Sequence, residues 1–141
     1  MRLLLDTGVV GQICHPRKHQ DVRRWFAEAV AQHEFLISEV ADCELRRELI
    51  RIGAARSLMR LDELARELRY VPVTTATWRS AANLWAWARR TGKPTDAEAG
   101  LDGDVLIAAQ AIAEQASMLT TNPRHFEPIA RAIRWEEVIT E

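Results

Sequence analysis

The stretch that most constrains this chain is its start, Met1-Arg-Leu-Leu-Leu-Asp6-Thr7-Gly8. Three leucines run straight into an acid, and a turn residue follows. A short apolar run bounded by turn chemistry suits a strand buried on both faces. A strand of that kind belongs in the middle of a parallel α/β sheet. Asp6 then lies at the carboxyl end of the strand, where open α/β sheets place their ligand crevice. A carboxylate there is either a site residue or the cap of the next helix, and this stretch alone leaves the two readings level.

The 141 residues match the size of one domain, so the chain reads as a single unit over 1–141. Hydrophobic residues form 48% of it, enough for a full core. No apolar stretch approaches the roughly 18 residues a membrane span needs. The leucine run is too short for a signal peptide. Cys14 and Cys43 make no disulfide framework, so the expectation is a cytoplasmic protein with reduced thiols and no membrane partner. A net charge of −1 does not mark a nucleic-acid binder, and any such contact must come from local patches. Cys14, His15 and His19 are close in sequence. A structural zinc site wants four ligands, however, and no second Cys/His cluster exists.

Hydrophobic spacing orders the rest. Thr7–Cys14 suits a short helix, and His15–His19 a proline-marked connection. From Asp21, Val22, Trp25, Phe26, Ala29 and Val30 recur at helical spacing. Glu34–Ser38 is a second strand. Ser38 or Glu39 opens a helix to Gly53 with a stripe of Val40, Leu45, Leu49 and Ile52, and Gly53 is a natural stop. Ala54–Arg69 completes a helix hairpin. Tyr70–Val73 is a third strand whose proline suggests an edge or an end. Thr77–Arg90 is a helix, and its Trp78, Trp85 and Trp87 are read as core before base stacking. A loop runs to Gly100, carrying Asp96 and Glu98. The next helix has Asp102 at its N-cap and Asp104 in its first turn, with Ile107, Ala108, Ala111 and Ile112 inward. Met118–Thr121 is a fourth strand, Pro128–Ala132 a short helix, and Ile133–Ile139 a peripheral fifth strand. The order predicts a three-layer α/β/α sandwich around a four- to five-stranded, mainly parallel sheet.

Three acids share a positional logic. Asp6 ends the first strand, Glu44 sits beside the buried stripe of the helix after the second, and Asp104 opens the helix before the fourth. If the first and fourth strands pair in parallel, Asn122 becomes a neighbour of Asp6. Carboxylates gathered in one crevice repel and raise each other's pKa values, a conflict that a divalent cation removes. Oxygen-only ligands favour Mg²⁺ or Mn²⁺ over zinc. Each acid also has a plainer reading. Asp6 could cap a helix, Glu44 could be a solvated acid paired along its helix, and Asp102 and Asp104 could complement a helix N-terminus.

The chain resembles the PIN-domain family, in particular the VapC-type toxins of prokaryotic toxin–antitoxin pairs. The resemblance rests on Leu-Leu-Leu-Asp6-Thr7, on Ser38-Glu-Val-Ala-Asp-Cys-Glu44-Leu-Arg-Arg-Glu-Leu49, on Asp102-Gly-Asp104-Val-Leu-Ile-Ala-Ala-Gln-Ala, and on Leu119-Thr-Thr-Asn122-Pro-Arg-His-Phe126. It covers essentially the whole chain, and its specificity lies in the order and spacing of all four segments. By that resemblance Asp6, Glu44 and Asp104 match the acidic Mg²⁺ or Mn²⁺ site, and Thr7 matches a hydroxyl residue beside the first acid. Asn122 falls where the family has a fourth polar or acidic residue. Asp104 is favoured over Asp102 as the ligand, because Ile107, Ala108 and Ala111 share its face. Two features depart from the family: the amide at Asn122, and a Gly92–Asp104 loop longer than in many relatives.

What the resemblance implies is a metal-dependent endoribonuclease acting on an RNA substrate, the toxin of a cognate antitoxin, and commonly a homodimer. Leu58 and Met59 look like the apolar surface such a dimer would use. Arg46, Arg47 and Arg51, with Arg56 and Arg60 on the next helix, are candidates for the RNA backbone, against the rival reading of a solvated face. The alternative is an RNA- or protein-binding module on the same scaffold without useful catalysis. A phospho-acceptor role for Asp6 fails on sequence: a dehalogenase-like phosphatase wants a second aspartate two residues on, where Gly8 stands, and Arg2–Leu5 lacks the acidic pair of a receiver domain.

Overall fold

The leucine run forms β1, Arg2–Leu5, and Leu3, Leu4 and Leu5 have no exposed surface. In this computed structural model residues 1–92 and 101–141 are described, with the side chains of Leu101 and Asp102 left aside. β1 is the central strand of a five-stranded sheet in which every pairing is parallel. On one side it pairs with β2, Glu34–Ser38, which pairs in turn with β3, Arg69–Val71. On the other side it pairs with β4, Ser117–Leu119, and β4 pairs with β5, Ala132–Ile133.

Alternation along the strands divides the core in two. Leu3, Leu5, Phe35, Ile37 and Leu119 pack against α1 (Thr7–Cys14), α2 (Gln20–Ala29), α4 (Ala55–Glu67) and Leu49 of α3 (Glu39–Ile52). Leu4, Leu36, Val71 and Met118 pack against α5 (Thr75–Arg90), α6 (Leu101–Ala113) and Phe126 of α7 (Pro123–Phe126). This is the expected three-layer sandwich. Each fully buried leucine contributes about 1.5–3 kcal/mol of transfer free energy.

Polar pins fix the carboxyl edge of the sheet. Ser38 ends β2 and caps α3, accepting from the backbone N–H groups of Val40 at 3.0 Å and Ala41 at 3.4 Å. Its hydroxyl also donates to Gln110 Oε1 of α6 at 2.6 Å. Gln110 is buried, and its amide donates to the Val71 carbonyl at 3.1 Å. One serine and one glutamine thereby tie β2, β3, α3 and α6 together. α3 closes on Gly53 at φ 70°, the left-handed stop its sequence announces.

Several expectations need correction. The third strand is shorter than Tyr70–Val73: it spans Arg69–Val71 and stops before Pro72, which has no N–H to donate. α5 starts at Thr75, two residues early, because Thr74 and Thr77 form a capping box. The expected helix at Pro128–Ala132 is displaced to Pro123–Phe126, where a proline starts it. The expected strand Ile133–Ile139 shrinks to Ala132–Ile133, and a 3-10 turn follows over Trp135–Glu137. Trp135 turns onto Trp25, with ring centroids 5.6 Å apart, instead of extending the edge. Asp102 is not at a cap: α6 begins at Leu101, so Asp102 lies in its first turn. The Asp102 side chain, Asp96, Glu98 and most of the loop after Gly92 lie outside the described residues.

The tryptophans of α5 are not core. Trp78, Trp85 and Trp87 are 58%, 42% and 39% exposed, whereas Ala81 and Ala88 are buried against α6. Small residues let the two helix backbones approach, which pushes the large rings to the rim. Ile52 and Ile112, placed inward by spacing, are also exposed. Leu58 packs on the core, while Met59 faces solvent.

Candidate active site

Three elements deliver one acid each to the carboxyl end of β1. Asp6 follows β1 directly and caps α1. Its Oδ1 accepts the Thr7 backbone N–H at 2.8 Å, and its Oδ2 accepts the Thr120 hydroxyl at 2.9 Å. The parallel register makes this contact: Leu5 pairs with Leu119, and the Asp6 N–H donates to the Leu119 carbonyl at 2.9 Å. Asp6 thus caps a helix, and the same carboxylate feels the Asp104 charge.

Glu44 lies on α3 and accepts the Thr7 hydroxyl on Oε1 at 3.1 Å. α6 comes in against it through Gly103, where a Cβ would stand 3.2 and 3.3 Å from the two Glu44 oxygens. A larger residue there would push Glu44 or the helix aside, so the glycine sets the approach of α6 to α3. Asp104, the next residue, takes a short hydrogen bond on Oδ2 from His125 Nε2. The His125 ring sits edge-on to Phe126, centroids 4.8 Å apart, and Phe126 is buried.

The acids feel one another. Burial pushes the Asp6 carboxyl above its ordinary value; the bonds from Thr120 and Thr7 act in the opposite direction, and the Asp104 charge adds to the rise. Burial likewise raises Glu44, with Asp104 and Asp6 adding to the effect, while the Thr7 hydroxyl and the Arg47 charge oppose it. Asp6 and Glu44 thus each feel the other acids' charge, Asp104 included, and Thr7 bridges Asp6 and Glu44.

Asn122 does not become the residue that meets Asp6. Thr120, level with Asp6 in the register, reaches it instead. Asn122 lies two residues farther on, exposed, donating its backbone N–H to the Thr120 hydroxyl at 3.2 Å. With Arg124, Glu127 and Arg134 it lines a separate surface hollow. Thr120, Gly103 and His125 are the residues that sequence reasoning missed. Parallel pairing of β1 and β4, counted forward from Leu5, would have found Thr120.

The arginine candidates divide. Arg46 is held by Asp42 at 3.0 Å and by Asp62 at 2.8 Å. Arg51 pairs with Glu48, and Arg60 donates to the His15 carbonyl at 3.2 Å. Arg47 is exposed, and its charge reaches Glu44.

Among the described residues, no three Asp, Glu, His or Cys side chains stand as a ready-made metal cage. The donor chemistry nevertheless fits a hard divalent cation: three electrostatically coupled carboxylates, two of them with raised pKa values. Such a cluster gains from a cation that neutralises it.

Residues 3–132 match the PIN domain family. No curated protein matches the chain. Among solved structures, it is similar to VapBC2 from Rickettsia felis bound to a promoter DNA fragment, with 21% identity and a TM-score of 0.78 over 96% of this chain and 99% of that one. It is also similar to DNA-bound VapBC from Salmonella typhimurium, with 22% identity and a TM-score of 0.77 over 96% and 98%. FitAcB from Neisseria gonorrhoeae shows 18% identity and a TM-score of 0.74 over 96% and 99%. At these identities the likeness is one of fold.

Proposed function

The chain belongs to the PIN-domain family, and on that premise we propose that it is a Mg²⁺- or Mn²⁺-dependent endoribonuclease of VapC type, the toxin of a cognate antitoxin. The observation that carries this reading is the meeting of Asp6, Glu44 and Asp104, from three separate elements, in one electrostatically coupled cluster. These three would hold the cation. A bound divalent ion supplies Lewis acidity toward a scissile phosphate and an attacking water.

The chain's own groups do the rest. Thr120 and the Thr7 N–H hold both oxygens of Asp6, which fixes its rotamer and favours its charged form. The Thr7 hydroxyl orients Glu44 from the same turn. Arg47, on the same helix as Glu44, supplies positive charge for the RNA backbone. Arg46 and Arg51 have a smaller part, because acids of the chain already engage their guanidinium groups. Glu44 would serve as a further ligand of the cation or position the water. The complexes among the structural neighbours support an antitoxin partner, and exposed Met59 and Ile52 on the α3–α4 hairpin support a homodimer.

Melting with and without Mn²⁺, beside an RNA cleavage assay, tests the reading. Mn²⁺ raises the wild-type melting temperature by linkage and supports cleavage, and Asp6→Asn loses both. A wild type that binds Mn²⁺ and RNA without cutting would instead make the protein a binding module.

A further inference from the structure

We propose that His125 is a positioning residue for the cation site: its Nε2–H holds the Asp104 carboxylate in place to take the metal. The inference rests on the proposed metal-dependent function and adds a residue that the acidic set does not include.

Among the described residues, Asp104 has fewer donors to its side chain than Asp6 does. Asp6 has two hydrogen-bond donors, one from backbone and one from Thr120. Glu44 has the Thr7 hydroxyl and sits against the Gly103 backbone. Asp104 stands in the first turn of α6, on an aspartate's short, rotatable side chain, and His125 is the donor that engages it.

The ring is itself well fixed. His125 lies in α7, between exposed Arg124 and buried Phe126, and its ring plane stands at 85° to that of Phe126. Its backbone N–H donates to the Asn122 carbonyl at 3.2 Å. Phe126 anchors in the core cluster that also holds Val105, Leu106 and Ile107 of α6. Ring and carboxylate therefore rest on two elements that share one core. The half-buried contact is shielded enough for a hydrogen bond to persist, with side-chain exposures of 17% and 22%.

Such a bond has a defined consequence. A carboxylate fixed before the cation arrives loses less rotamer freedom on binding. Outer donors to ligating groups orient them, and their loss typically costs about 10–100-fold in metal affinity. A carboxylate offers about four lone-pair sites on its two oxygens, so one bond to His125 leaves Asp104 able to coordinate.

The test is Mn²⁺ affinity, read from the free-ion EPR signal of the intact protein, for wild type, His125→Phe, His125→Gln and His125→Ala. His125→Phe keeps a ring against Phe126 but has no N–H. His125→Gln places an amide N–H where Nε2 stood. The expected result is Mn²⁺ binding about 10-fold weaker in His125→Phe and His125→Ala, with most of the loss recovered in His125→Gln. Circular dichroism and melting without metal identify any variant that fails to fold, and the comparison then stands on His125→Phe against His125→Gln. Wild-type affinity in His125→Phe overturns the role, and tighter binding shows His125 to be a competitor for Asp104. A wild type that binds no Mn²⁺ overturns the metal reading itself and this role with it.

Discussion

Two acids of helix α3, Asp42 and Glu44, stand two residues apart and in opposite circumstances. Asp42 is buried and fully engaged: Arg46 binds its Oδ1 at 3.0 Å, and the Tyr70 hydroxyl donates to its Oδ2 at 2.7 Å. Arg46 carries the network on to Asp62 of α4. Burial and the bond to Asp42 both push the Tyr70 phenol well above its ordinary value, so it stays a donor. Arg46 offsets the Asp42 charge inside this network, which joins α3, α4 and β3. Glu44 faces the other way, toward Asp6 and Asp104, where like charges meet and the carboxyl is pushed up. Partnered acids hold a fold together. Acids that repel one another cost stability and persist where a ligand supplies the missing charge.

The sharpest way to break this contrast is Asp104→Asn. It removes a ligand charge without touching the α3–α4 network. Mn²⁺-dependent RNA cleavage should fall by more than the ~10–100-fold that an outer-shell loss costs, while the metal-free melting temperature stays the same or rises. Normal cleavage by a folded Asp104→Asn protein would remove Asp104 from the site.

Next in size is the comparison within α3. Asp42→Ala strips Arg46 of one partner and Tyr70 of its acceptor, and should cost about 2–3 kcal/mol of stability in denaturant melts. Glu44→Gln should change metal-free stability by less than ~1 kcal/mol, yet abolish much of the Mn²⁺-induced rise in melting temperature. Equal stability losses in the two variants would erase the distinction between a structural acid and a site acid.

A pH series sharpens it further. Asp6 has a folded-state value above the ordinary 3.8, so the native state holds its proton more tightly than the unfolded chain does. Its stabilising contribution is therefore complete below the unfolded value and is lost as pH rises through the raised folded value. In EDTA, wild type should lose stability relative to Asp6→Asn as pH climbs from about 4 toward 8, and Mn²⁺ should reverse that trend. Thr120→Val removes a bond that favours the charged form, and should shift the wild-type transition to higher pH. A flat difference between wild type and Asp6→Asn across the series would show that Asp6 feels no net repulsion.

The smallest effect belongs to the α5 rim. Trp78→Ser should cost at most ~0.5 kcal/mol, as surface substitutions do, whereas Ala81→Leu, at the buried contact with α6, should cost about 1–3 kcal/mol by overpacking. A large loss from Trp78→Ser would return that ring to the core.

How much of this was legible in the sequence depended on the kind of signal. The leucine run before Asp6 stated a buried central strand. Gly53 stated a helix stop, and the alternation of β2 stated two faces. Spacing failed for Trp78, Trp85 and Ile112, because periodicity names a helix but not which arc of it meets a neighbour. On α5 the alanines took the contact, and bulk was excluded from it. The C-terminal edge failed for a related reason: Ile133–Ile139 alternates like a strand, but β5 pairs over only two residues with the short β4.

The sequence by itself determined the fold class and singled out Asp6, Glu44 and Asp104 as the candidate acids, since those follow from local runs and from acids placed at element ends. Only the tertiary structure decided which groups hold them. Thr120 reaches Asp6 through the β1–β4 register, 114 positions away in the chain. Glu44 meets Gly103 because α6 approaches α3, and Asp104 meets His125 because α7 shares its core. Each is a contact between segments distant in sequence. Such contacts are set by strand pairing and helix packing, and neither is written in the spacing of a single segment.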